Sequence, residues 1–195
     1  QTKEWTFLDI CFPTRKKNCM KLMIRAHDLG VKGEDNIVNK LDEWGLDGIQ
    51  LVAYKSINGV TYSEGSLTEE RAGQIEKTVR GAGKEIALVG AYFNPVHSDK
   101  TKVENCKNIY KNYLKYCKLL GSENVGSETG SFNDDDWSYN PKNRTEEALQ
   151  EVVSVFSELC DYAAENGIDL IVSHHPVIFR AVKHFTDGDL PFELA

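Results

Sequence analysis

Ile86-Ala87-Leu88-Val89-Gly90-Ala91-Tyr92 is a continuous apolar run of strand length. A run with no polar alternation is expected of a strand covered on both faces, as in a parallel sheet. Upstream, Ser66-Leu67-Thr68-Glu69-Glu70 is a helix start with Thr68 as N-cap, and Gly81 and Gly83 stop that helix soon after Val79. Gly48-Ile49-Gln50-Leu51-Val52 reads as another strand. Before it, Ile37, Val38, Leu41 and Trp44 fall on one face of a 3.6-residue period, predicting a helix over 35–44 ended by Gly45. Leu22-Met23-Ile24 is the first strand, ending at Arg25-Ala26-His27-Asp28.

The same alternation continues downstream. A helix over about 101–119 stops at Gly121, and Asn124-Val125-Gly126-Ser127 is a fourth strand. The polar stretch 132–144 reads as a loop that could cover a site. Thr145-Glu146-Glu147 opens a helix carrying Leu149, Val152, Val153, Phe156, Leu159 and Cys160 along one face, and a fifth strand covers 168–172. Strands alternating with helices imply a parallel sheet with right-handed crossovers. The expected fold class is therefore α/β: a partial (β/α) barrel of about five βα units. A full eight-unit barrel takes about 250 residues, against 195 here. That leaves a half barrel needing a partner, a truncated product, or an open α/β sheet. Residues 20–195 are expected to form one domain and residues 1–19 an appended segment.

Composition narrows the function. The chain is 41% hydrophobic and 27% charged, so a normal core can form, and its net charge of −7 argues against a nucleic-acid surface. The basic patch Arg15-Lys16-Lys17 is too short to change this. No apolar run is long enough to span a membrane. The five cysteines are odd in number and form no Cys-x-x-Cys pair. They read as free thiols, consistent with a cytoplasmic location.

The polar residues cluster after the strands. Arg25, His27 and Asp28 follow the first strand. Tyr92, Asn94, Pro95 and His97 follow the third, Glu128-Thr129-Gly130-Ser131 the fourth, and Ser173-His174-His175 the fifth. In β/α barrels and open α/β sheets, sites gather at this end. Each cluster also has a structural explanation. His27-Asp28 can cap a turn, Asn94-Pro95 forms one, and His97 can be a solvated loop residue. Glu128 is harder to explain that way, because a carboxylate after a buried strand is costly without a partner or a task. Asp134-Asp135-Asp136 reads as a solvated loop rather than a metal cage. Cys106, Tyr110, Tyr113 and Cys117 recur at helical spacing as packing residues.

Ile24-Arg25-Ala26-His27-Asp28, residues 90–97 (Gly-Ala-Tyr-Phe-Asn-Pro-Val-His) and Ser127-Glu128-Thr129-Gly130-Ser131, with the helix start Thr145-Glu146-Glu147-Ala148-Leu149, together resemble the sugar phosphate isomerase/epimerase family. That family has a xylose-isomerase-like TIM barrel, and the resemblance covers about residues 20–165. It implies a small sugar or sugar phosphate as substrate and a divalent metal (Mn²⁺, Mg²⁺ or Zn²⁺) as cofactor. It also implies Glu128 and His97 as catalytic residues, with His27, Tyr92 and Asn94 binding substrate. The reaction would abstract a proton beside a carbonyl, with a carboxylate as base and charge developing on the oxygen. The chain departs from the family where Ser173-His174-His175 stands in place of a metal-binding Glu after strand five.

Asp169-Leu170-Ile171-Val172-Ser173-His174-His175-Pro176-Val177-Ile178-Phe179-Arg180 instead resembles the Nif-three-like dinuclear-metal family, which implies His174 and His175 as metal ligands. The two resemblances meet near Glu165-Asn166-Gly167, as in a chimeric or truncated product. Three readings stay open: an isomerase/epimerase-like protein, a metal-dependent hydrolase-like protein, and a non-catalytic fragment. No membrane or nucleic-acid partner is expected. Open sheet edges at the first and fifth strands are expected to favour a homodimer.

Overall fold

The computed structural model describes residues 20–136 and 138–172. Five strands, β1 (Met23–Arg25), β2 (Gly48–Leu51), β3 (Glu85–Gly90), β4 (Asn124–Ser127) and β5 (Asp169–Val172), form one sheet in sequence order. Every neighbouring pair is parallel. The helices between them are α1 (Glu34–Trp44), the short α2 (Ala53–Ser56), α3 (Glu69–Gly81), α4 (Lys100–Cys117) and α5 (Glu146–Glu165). This is the expected partial β/α barrel. Among the described residues, β1 and β5 each pair on one side only. The 1–19 segment, His174, His175 and the rest of the Nif-three-like stretch beyond Val172 lie outside the described residues.

Helix boundaries follow local chemistry. The Thr68 side chain accepts from Arg71 N at 3.2 Å and caps α3 as expected. Asp99 caps α4 by accepting from Lys102 N at 3.1 Å, and Thr145 caps α5 through Ala148 N at 3.2 Å. Gly45 closes α1 at φ 65°, a left-handed conformation that costs glycine little.

The core lies between the helices and one face of the sheet. Ile49 and Leu51 of β2, Ile86 and Val89 of β3 and Val125 of β4 pack with Ile37 and Leu41 of α1 and Ile75 and Val79 of α3. Tyr110, Tyr113 and Leu114 of α4 and Phe156 and Leu159 of α5 complete it. Burying such a side chain stabilises by about 1.5–3 kcal/mol.

The key strand differs from its expected form. Ala87 is exposed and Leu88 half-buried, so β3 is not covered on both faces. Ile49 pairs with Ile86 and Gln50 with Leu88, which skips Ala87 as a β-bulge. The bulge lets Ile86 and Val89 both reach the helix side although they are three residues apart. The Ser122 hydroxyl donates to the Ala87 carbonyl at 3.3 Å.

Three further expectations change. A 3-10 turn at Ala26–Leu29 follows β1, and another at Pro141–Arg144 interrupts the stretch read as loop. The short α2 follows β2 directly, in a segment where no helix was expected. On α5 the buried residues are Ala148, Phe156, Leu159 and Ala163, whereas Leu149, Val153 and Cys160 are exposed. The apolar pattern was wider than the face the sheet covers.

A bidentate ion pair ties α1 to α3. Arg71 donates to Glu34 Oε1 at 2.5 Å and Oε2 at 2.8 Å, and both side chains are largely buried. The guanidinium hydrogen bonds hold the Glu34 carboxyl below the usual carboxylate range, against the upward push of burial. Arg71→Met strands that carboxylate and is expected to cost about 1–3 kcal/mol at neutral pH. A depressed folded pKa stabilises above the unfolded value and ceases to as pH falls through the folded one. The gap between Arg71→Met and the unmodified chain in urea melts should therefore narrow as pH falls below the ordinary carboxylate range.

Candidate active site

In a parallel sheet all carboxyl ends share one side, and the residues leaving β2, β3 and β4 meet there. The chain leaves β2 into α2, which presents Tyr54 and Lys55. Beyond β3 the turn carries Tyr92, Asn94 and His97, and beyond β4 comes Glu128. Tyr54, Lys55, Tyr62, Tyr92, Asn94, His97, Lys102, Cys106, Glu128, Asp134 and Asp135 line a cleft of about 370 Å³. A larger hollow of about 660 Å³ lies between the 129–132 turn and the start of α5. It holds none of the residues expected to do chemistry, so the smaller cleft is the candidate site.

Four expected residues thus share one cleft: Tyr92, Asn94, His97 and Glu128. His27 does not line it. It sits on the turn after β1, where its Nδ1 is buried without a hydrogen-bond partner. Burial, then the nearby Lys55 and Arg25 charges, push its pKa down against the pull of Asp28.

The Glu128 charge acts on Tyr54 and Tyr92, whose hydroxyls titrate higher because of burial first and Glu128 second; Tyr54 is pushed up to about 12. Burial, followed by the Cys106 thiol, also pushes Tyr62 up. These phenols stay protonated at neutral pH and remain hydrogen-bond donors. Tyr92 Oη accepts from Gln50 Nε2, which leaves its own proton uncommitted among the described residues.

His97 is buried among other groups. Its Nδ1 accepts from Asp99 N at 3.0 Å, and its Nε2 lies 3.2 Å from Lys102 Nζ. The Asp134 and Asp135 carboxylates each stand 3.6 Å from the ring. Asp134 accepts from Ser98 N at 2.7 Å and Ser98 Oγ at 2.8 Å, and Asp135 accepts from Lys102 Nζ at 2.5 Å. These bonds hold both carboxyls below their usual range. Asp135 and Asp136 are exposed, as in a solvated loop, and Asp134 and Asp135 also line the cleft.

Sequence reading missed Tyr54, Lys55, Tyr62 and Lys102. Tyr54 and Lys55 obey the rule that found the others, because they directly follow a strand. Among the described residues no carboxylate pairs with Lys55, whose Nζ stands 5.8 Å from the Tyr54 ring centroid. Also among the described residues, no three His, Cys, Asp or Glu side chains are grouped to hold a metal ion, and no helix is long and apolar enough to cross a membrane.

Residues 38–181 match the family model described as xylose isomerase-like TIM barrel, and the chain belongs to that family. The match runs through Glu165-Asn166-Gly167. Among solved structures, a xylose isomerase domain protein from Planctomyces limnophilus is 16% identical with TM-score 0.55, covering 80% of this chain and 55% of that one. A D-tagatose 3-epimerase-like protein is 20% identical with TM-score 0.56, covering 78% and 52%. The IOLI protein, solved with a zinc atom, is 18% identical with TM-score 0.55, covering 80% and 51%. At these identities the likeness shows the fold alone. The chain spans about half the length of these relatives. No curated protein matches it.

Proposed function

We propose that the cleft binds a small sugar or sugar phosphate and interconverts isomers or epimers by proton abstraction beside a carbonyl. The observation that carries this reading is the Glu128 carboxylate in a cleft shared with Tyr54 and Tyr92. Glu128 takes the proton from the carbon beside the carbonyl. The electron pair moves onto the carbonyl oxygen as an enolate. A proton returned to the other face of the same carbon restores the carbonyl and gives the epimer; a proton returned to the former carbonyl carbon, with the neighbouring hydroxyl passing its own proton to the enolate oxygen, moves the carbonyl and gives the isomer. Donors must meet the developing oxyanion; the Tyr92 hydroxyl and the Lys55 ammonium are the cleft groups available. The aromatic rings cover apolar faces of the sugar. His97 is the second proton-carrying group. His27, outside the described cleft lining, stands after β1 as a further substrate-binding residue at that end of the site.

The described residues do not fit a divalent ion, and no step above uses one. His174 and His175 remain the proposed metal ligands.

Deuterium incorporation tests the proposal. The full chain is incubated in D₂O with aldoses and ketoses, free and phosphorylated, with and without added Mn²⁺, Mg²⁺ or Zn²⁺. Deuterium is expected on the carbon beside the carbonyl of at least one sugar. No incorporation under any of these conditions overturns the reading.

A further inference from the structure

Asn94 stands in the cleft, yet its amide faces backbone on all sides. Oδ1 accepts from Val96 N and from Ser131 N, each at 3.1 Å. Nδ2 donates to Ser131 O and to Asp134 O, each at 2.7 Å. Two N–H groups meet one end and two carbonyls the other, so the amide has one orientation and no free hydrogen-bonding position.

Two features of the opposite loop fit this contact. Gly130 has φ +82°, and a Cβ there would stand 2.1 Å from Asn94 Oδ1 and 2.8 Å from Pro95 Cδ. Only glycine allows both that backbone and that approach. Asp134 is left-handed at φ 58°, the only non-glycine described residue with positive φ. In that conformation its carbonyl receives Asn94 while its carboxylate reaches back to Ser98 N and Oγ.

We propose that Asn94 is a positioning residue: it clasps the β3–α4 turn, which carries His97, to the β4–α5 loop, which follows Glu128, and so sets the geometry of the site without touching substrate. The Asp134–Ser98 bonds close the same seam from the other side. This rests on the reading of Glu128 and His97 as the reacting groups. It assigns Asn94 a different task from the substrate contact that the sequence resemblance implied.

The test uses Asn94→Ala and Asn94→Asp in the full chain. Asn94→Asp keeps the side-chain shape and the oxygen that accepts from Val96 and Ser131, but turns a carboxylate oxygen against the Ser131 and Asp134 carbonyls and so breaks the donor half of the clasp; it serves if the alanine variant does not fold. Amide hydrogen exchange reads the clasp. In Asn94→Ala, exchange at Ser131 and Val96 is expected to quicken at least ~100-fold, while Ile49 and Val89 in the sheet keep their rates. The His97 ring resonances should move towards those of a solvated imidazole. In Asn94→Asp, Ser131 exchange should also quicken. Turnover reads the positioning: kcat should fall roughly 10–100-fold with KM little changed, because misplacement rather than lost binding is at work.

Unchanged Ser131 exchange and His97 resonances in both variants overturn the clasp. Faster exchange with unchanged kcat overturns the positioning role, as does a raised KM with unchanged kcat. If the unmodified chain turns over no sugar, the isomerase reading falls, and the exchange and ring measurements still decide the clasp.

Discussion

Glu128→Gln is expected to lower turnover of the best sugar substrate roughly 10²–10⁴-fold, the range for loss of a positioned general base. The amide keeps the shape of the carboxylate and removes its charge and basicity. The variant also has a readout that needs no substrate. The Glu128 charge contributes to the raised pKa values of Tyr54 and Tyr92. Neutralising it should lower both, and an alkaline titration followed by tyrosinate absorbance should show an earlier onset. Burial is the larger cause at both residues, so the shift is expected to be partial. Unchanged turnover in an active chain removes Glu128 as the base. An unchanged titration would show that its carboxylate does not act on these rings.

The strands and most helix ends could be read from sequence because they rest on local signals. Apolar runs mark β2, β3 and β5, Thr68 caps α3, and Gly45 ends α1. The rule that polar residues gather at carboxyl ends placed Tyr92, Asn94, His97 and Glu128 in one cleft. What escaped depends on contacts distant in sequence. The bulge at Ala87 reflects the register against β2, which no pattern within β3 encodes. Lys102 reaches the cleft because Asp135, 33 residues on, comes over to meet it. Asn94 looks like a substrate contact from its place after a strand. Its partners at Ser131 and Asp134 are 37 and 40 residues away and are backbone atoms, which carry no sequence signature.

The breadth of the α5 apolar stripe leads to a second large effect. Six positions of that stripe were candidates for the core, and Phe156 is the large aromatic that is buried, at 4% exposure. Its ring centroid lies 5.9 Å from that of Phe93, just beyond β3, and 6.2 Å from that of Tyr110 on α4. Phe93 and Tyr110 stand 5.8 Å apart, edge to face, and the Tyr110 hydroxyl donates to the Val125 carbonyl of β4 at 2.9 Å. The three rings join two strands and two helices directly behind the turn that leads to Asn94 and His97. Phe156→Ala removes one corner of that cluster and leaves a cavity that neighbouring secondary structure can only partly fill. The expected loss is about 3–5 kcal/mol, or roughly 6–20 °C in Tm for a domain of this size. Leu149→Ala on the same helix removes an apolar residue that is 53% exposed, and should change stability by no more than about 0.5 kcal/mol. A calorimetric melt of the two variants separates the packed face of α5 from the apolar positions that only resemble it in sequence. Equal losses at the two positions would mean that the helix is rotated from the orientation described.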